Sequence, residues 1–244
     1  MSPLTLALLF SWALPDAAER PAFLFNMDSG SKGAIHLRGE RYRPRPGDIV
    51  LFDHHIKAIT NLYRFCGTSS PVHAGVVFQK RDGKLGILEA GPNTVQKVLI
   101  FDIDDRLHKF DGTILVRQLK SPLTANQSRR LTEFSHEQEG KGYALGRLIS
   151  QATPFRPQGS LRGQLFGKTV LNRERWMCSE IVVAAMAVAG VLDAKAYPAN
   201  AMYPRDLCYD ERHDLSAAYQ EPALWSPREQ VDFLGGGVRV QNGK

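Results

Sequence analysis

From position 46 to 119 the apolar residues come mainly in short runs bounded by turn formers, the rhythm of strands. The turn RPRPGD (43–48) leads into IVLF (49–52), a first strand. VHAGVVFQ (72–79), LGILEAG (85–91), TVQKVLIFD (94–102) and TILVRQL (113–119) predict four more. Elsewhere the spacing changes to three and four. In DHHIKAITNLYRFC (53–66), Ile56, Ile59, Leu62, Tyr63 and Cys66 lie on one helical face. Leu123–Gln138 reads as a polar-faced helix with Thr124 as its cap, and GKGYALGRLI (140–149) starts another short one. RERWMCSEIVVAAMAVAG (173–190) predicts a buried, Ala-rich helix that begins at Cys178 and stops at Gly190. Arg20–Arg45 reads as irregular, 150–168 as a long loop, and AYPANAMYPRDLC (196–208) as a Pro-broken surface stretch. The pattern divides into an N-terminal segment (1–20), one main domain (21–225) and a loose tail (226–244).

The linker after VHAGVVFQ contains Arg81-Asp82-Gly83, which suits a three-residue hairpin loop with Gly83 in the left-handed position. Register follows from that loop. If Lys80 meets Lys84, Gly75 meets Glu89, and His73 lies two residues along the same face. His73 and Glu89 then form a diagonal cross-strand pair ~7–8 Å apart at the backbone, within side-chain reach. A two-residue loop would put them on opposite faces.

Composition narrows the class. With 244 residues, 43% hydrophobic and 23% charged, the chain can bury a sizeable core. The net charge of +6 favours acidic partners, yet the Arg38, Arg41, Arg43 and Arg45 cluster carries no known nucleic-acid motif, and no nucleic-acid partner is expected. Three cysteines, Cys66, Cys178 and Cys208, are too few for a disulfide framework and leave at least one thiol free. The apolar run Leu4–Leu14 is too short to span a bilayer, and no basic residue precedes it. It reads either as a degenerate export signal, which would place the protein in the envelope with a membrane contact at its N-terminus, or as an N-terminal packing helix of a cytoplasmic protein.

The chemistry centres on Cys178. A thiol at a helix N-terminus faces free N–H groups and the positive end of the helix dipole, which favour the nucleophilic thiolate. Such a nucleophile needs a base, and the base an orienting acceptor. His73 and Glu89 supply both. Backbone N–H groups at Cys178 and Ser179 are candidates for holding an oxyanion next to bound substrate. Each residue has a plainer reading: an inert buried thiol, a satisfied core histidine, and a carboxylate paired with Lys97. Asp53-His54-His55 is a weak metal candidate, because neighbours on one segment point apart. Neither a metal nor any other cofactor is expected.

The ordered set GDIVLF (47–52), HAGVVF (73–78), LEA (88–90), GKGY (140–143), CSEIVVAA (178–185) and YPRDL (203–207) resembles the circularly permuted NlpC-like cysteine hydrolases of the YiiX/YebB-like branch, within the papain-like superfamily. In that branch the His strand precedes the Cys helix. The resemblance spans roughly Pro46 to Leu207. It implies an α+β fold in which a twisted antiparallel sheet packs on the helix carrying the nucleophilic Cys. It implies Cys178 as nucleophile, His73 as base, Glu89 as third polar residue and Tyr143 as a pocket-lining, substrate-binding residue. It also implies a peptidase or amidase acting on small peptides, cell-wall fragments among them. The alternatives are an acyltransferase or lipase on acyl-lipids and a non-catalytic binding module. Two features depart from related patterns. Ala144 follows Tyr143 where the family often has Asp, and Met177-Cys178-Ser179-Glu180 differs from the Asn-Cys-Glu-His box of the retinol-acyltransferase branch.

Overall fold

A computed structural model describes residues 20–26, 35–54, 69–91, 95–146 and 170–233. In chain order its strands are β1 (Phe23–Asn26), β2 (Ile35–Arg38), β3 (Glu40–Arg41), β4 (Ile49–Asp53), β5 (His73–Gln79), β6 (Leu85–Ala90) and β7 (Val98–Asp102). They continue with β8 (Thr113–Arg117), β9 (Gly142–Tyr143), β10 (Arg175–Trp176), β11 (Ala223–Ser226) and β12 (Gln230–Phe233). The helices are α1 (Ile103–Lys109), α2 (Ala125–Gln138), α3 (Cys178–Ala189) and α4 (Pro204–Cys208). An eight-stranded sheet runs β3-β1-β11-β8-β4-β5-β6-β7, with every neighbouring pair antiparallel. The molecule is thus a mixed α/β fold with a large antiparallel sheet and few helices.

Strand β4 shows why the sheet needs cover on both sides. Ile49, Val50, Leu51 and Phe52 are all fully buried, so the strand reads as an unbroken apolar run rather than an alternation. Ile49 and Leu51 join Ala74, Val76, Phe78 and Leu88 in a core that α3 completes with Ile181, Val182 and Ala185. Val50 and Phe52 enter a second core with Val77, Ile87 and Ile114, closed by Ile103 and Leu107 of α1. Ten of the twelve residues of α3 are buried. A helix apolar on all sides belongs inside, and this one lies between the sheet and α2.

The hairpin between β5 and β6 has the three-residue loop read from the sequence. Lys80 N–H donates to the Lys84 carbonyl at 2.8 Å, and Gly83 takes a left-handed φ of 83°. The pairing Gly75↔Glu89 follows. Thr124 caps α2 in a reciprocal box: its Oγ1 accepts from Gln127 N–H at 3.3 Å, while Gln127 Oε1 accepts from Thr124 N–H at 3.0 Å.

Elsewhere the structure departs from the sequence reading. The irregular stretch 20–45 contains β1 and β3, and β2 as well, because FLFN buries Leu24 and Phe25 beside β11. The stretch read as a loose tail from 226 onward begins inside the sheet. Ser226 is fully buried in β11, and β12 pairs with β2. Four-residue strands whose partners lie so far away in sequence leave no local signal. Residues 142–143 form a strand, β9, where a helix was expected, because parallel pairing with β10 captures them. The stretch 196–208 is no surface segment. It forms a 3-10 turn (Ala199–Ala201) and α4, burying Met202, Leu207 and Cys208. The segment 1–19, the helical reach of 55–66, the loop 150–168 and residues 234–244 lie outside the described residues. Among the described residues no helix is long and apolar enough to cross a membrane.

Asp48 ties the start of β4 to the end of β8. Its buried carboxylate accepts from Leu119 N–H, Arg45 N–H and the Tyr42 hydroxyl, each at 3.0 Å. Burial outweighs those bonds and pushes its pKa up to about 6. A folded-state value above the unfolded one means that stability is fully present at low pH and is lost as pH rises through about 6. Urea unfolding of the wild type should therefore show a loss on the order of 2–3 kcal/mol between pH 4 and 8 from this group. Asp48→Asn should lack that component and be less stable at pH 5 by roughly 1–3 kcal/mol, because its amide turns a donor toward other donors. Parallel pH profiles of the two proteins would sink this account.

Candidate active site

His73 opens β5 and Glu89 lies near the end of β6. Their diagonal placement brings His73 Nε2 to 2.8 Å from Glu89 Oε2. Both side chains are buried, Glu89 completely. Gly75, directly across from Glu89, makes the approach feasible. A Cβ there would stand 2.8 Å from Glu89 Cγ and from Ile87 Cδ1 and Cγ1. The missing side chain is the space into which the carboxylate leans.

A residue not picked out in the sequence completes this end of the site. Arg106 of α1 donates from Nε to Glu89 Oε1 at 2.7 Å and from Nη2 to Oε2 at 2.9 Å. Its guanidinium lies over the rings of Phe52, Phe101 and Phe110, at 4.7, 5.2 and 5.3 Å. Helix α1 turns it inward because Ile103, Arg106 and Leu107 share one buried face. A signal was available. Asp102 caps the helix, Asp104 and Asp105 fill its first turn, and Arg106, His108 and Lys109 its last. The strand pattern of 94–102 just before it masks that signal.

The nucleophile candidate arrives on the other core element. Cys178 is the first residue of α3, buried and with a free thiol, and it is close enough to the His73 ring to raise that ring's pKa. The first turn is anchored by Glu180, which accepts from Met177 N–H at 3.2 Å and pairs with Arg173 at 2.9 Å. The structure thus brings together Cys178, His73 and Glu89, one from a helix and two from neighbouring strands. Burial by itself would strip charge from His73, but its interactions with Cys178 and Glu89 outweigh it and push its pKa up to about 9. Burial likewise opposes charge on Glu89, yet His73 and Arg106 hold its carboxyl below the usual range. The plainer alternative for Glu89, a pair with Lys97, is replaced by these two partners.

The remaining candidates separate. Ser179 sits beside Cys178, but its hydroxyl donates to the Met202 carbonyl at 2.6 Å, so its side chain fastens the helix and only its backbone faces the first turn. Tyr143 pairs in β9 with Trp176, two residues before Cys178. Its ring lies against Gly91, two residues past Glu89, where a Cβ would meet Cδ2 at 2.5 Å. Tyr143 therefore flanks both chain segments that carry the site. Cys208 is a buried free thiol whose pKa burial pushes up to about 12, so it is no rival nucleophile. Cys66 lies outside the described residues, as does His55. His54 rests against Phe110 at 4.7 Å between ring centroids, its pKa lowered by burial and by the charges of His73 and Arg106. Asp53 accepts from Ser70. Among the described residues no three His, Cys, Asp or Glu side chains group so as to hold a metal.

No family model matches the chain, and no curated protein matches it. Among solved structures, one similar chain is the metalloprotein yiiX from Escherichia coli O157:H7, DUF1105. It superposes with a TM-score of 0.42 at 19% identity, covering 61% of this chain and 67% of that one.

The close fit at Gly75 makes a direct prediction. Gly75→Ala should push Glu89 off His73 and cost about 1–3 kcal/mol in urea unfolding, the usual penalty for overpacking. It should also slow alkylation of Cys178 by iodoacetamide near neutral pH. A fully stable variant with unchanged alkylation would show that Glu89 does not depend on that space.

Proposed function

We propose that this chain is a cysteine hydrolase that opens an amide or ester carbonyl through a thioester intermediate, on the circularly permuted, papain-like plan of the NlpC-like enzymes. The observation that carries this reading is the buried sequence of contacts from Cys178 through His73 to Glu89. Glu89 takes His73 Nε2, which leaves Nδ1 for the sulfur proton. The thiol passes its proton to the ring, and the thiolate attacks the carbonyl carbon. The carbonyl oxygen becomes an oxyanion within reach of the backbone N–H groups of Cys178 and Ser179 at the head of α3. Collapse breaks the bond to the leaving amine or alcohol, which takes the proton from His73, and a thioester remains. Water then gives a proton to His73 and attacks the thioester. The acid departs, and the proton returns to sulfur. Tyr143 lines the entrance in this reading.

The sequence resemblance points to cell-wall peptides as the first substrates to try. A second reading, acyl transfer or lipid cleavage by the same residues, draws on exposed apolar side chains. Val95 and Leu145 flank the Gln96–Tyr143 backbone bond, and Val170 and Leu171 lie on the approach to β10. Turnover of acyl-lipids with inert peptidoglycan fragments would select the second reading over the first.

Cys178→Ala should abolish both turnover and labelling by a thiol-reactive active-site probe. His73→Ala should lower the rate on the order of 10²–10⁴-fold, as loss of a general base does. Wild-type activity should fall as pH rises through about 9, where the imidazolium loses its proton. The same sign holds for folding. The stabilisation of charged His73 is complete below its unfolded pKa and is lost as pH rises through about 9. Full labelling of the Cys178→Ala protein would defeat the proposal, as would a wild-type alkylation profile that tracks an ordinary thiol at ~8.5.

A further inference from the structure

We propose that Arg106 is the positioning residue of this site: it neutralises Glu89, so that the proton His73 carries is the one it takes from Cys178. The inference rests on the cysteine-hydrolase reading and adds a fourth member to it. The argument is a count of buried charges. Cys178, His73, Glu89 and Arg106 are all nearly inaccessible to water, where an unbalanced charge is costly. Before proton transfer the cluster holds thiol, neutral imidazole, carboxylate and guanidinium, with no net charge. After transfer it holds thiolate, imidazolium, carboxylate and guanidinium, again with none. The step therefore moves charge within the cluster without creating a net buried charge.

Without Arg106 the count changes. Thiol, neutral imidazole and carboxylate sum to one negative charge. The cheapest remedy is a proton from solvent on His73, which pairs it with Glu89. An imidazole already protonated cannot take the proton from sulfur. Arg106 prevents this by holding both Glu89 oxygens, and it leaves Oε2 to share with Nε2. The stack on Phe52, Phe101 and Phe110 keeps the guanidinium planar against the carboxylate and away from water. A lysine, with its single point of charge, would restore the sum but not the two-oxygen grip.

The groups that face His73 are Cys178 from α3, Glu89 from β6, Arg106 from α1 and His54 from the end of β4. Two measurements separate the role of Arg106 from mere packing. The first is NMR titration of the His73 ring in Cys178→Ala, which removes the sulfur and keeps Arg106. If Arg106 has already neutralised Glu89, His73 should be half-protonated below about pH 8, close to an unperturbed histidine. A midpoint at or above that value overturns the proposal. The second is the pH profile of Cys178 alkylation by iodoacetamide in Arg106→Gln. Its midpoint should rise by roughly one pH unit or more, and Arg106→Lys should recover part of that rise. A smaller rise in folded Arg106→Gln, or no recovery by lysine, also overturns it. Should Arg106→Gln fail to fold, the titration of Cys178→Ala decides alone. Failure of the hydrolase reading looks different, since wild-type Cys178 would then alkylate as an ordinary thiol while the His73 titration remained informative.

Discussion

Glu89 is the interaction on which the site depends. A fully buried carboxylate is among the costliest groups a fold can carry, and it persists only where its oxygens are met by donors and its charge by a cation. Here one cation comes from a neighbouring strand and the other from the helix that follows β7 and packs on the second core. The carboxylate thus fixes relations among three elements at once. The seat of α1 and the orientation of the imidazole that meets α3 both answer to one side chain, in a register that the hairpin loop sets.

The sheet makes that economy workable. Because its central strands β4 and β5 are covered on both faces, a side chain can reach from one core toward the end of the other without passing through water. His73 begins β5 at the margin of the sheet, where the second core of Phe52, Val77 and Ile87 meets the head of α3 from the first. Polar groups collect at the two ends of the β4–β5 pair, Asp48 at one and the site at the other. Between them the strands are apolar throughout.

How much of this was legible follows from how local each signal is. The β5–β6 hairpin was readable because a three-residue loop dictates its register, and the register dictates that His73 and Glu89 share a face. Helices α2 and α3 announced themselves through Thr124, Gly190 and their apolar spacing. Arg106 was not found because its meaning depends on a partner in another strand, and an arginine in a charged stretch looks like a solvated one. Tyr143 was assigned to a helix because Gly-Tyr-Ala carries no strand signal apart from its neighbour at Arg175–Trp176. Strands β1, β11 and β12 leave as little trace: each is short, and each takes a partner that lies far away along the chain.

That last feature bears on how the molecule is made. Strand β11 lies between β1 and β8, so residues near 225 fill a gap whose walls are drawn from residues near 25 and near 115. A ribosome releases those walls long before the strand that joins them. Until then both flanking strands present unpaired backbone, a template for pairing with another chain. The nascent protein is therefore prone to association until residues 223–226 emerge, and the joining of β1 to the rest of the sheet is a long-range event.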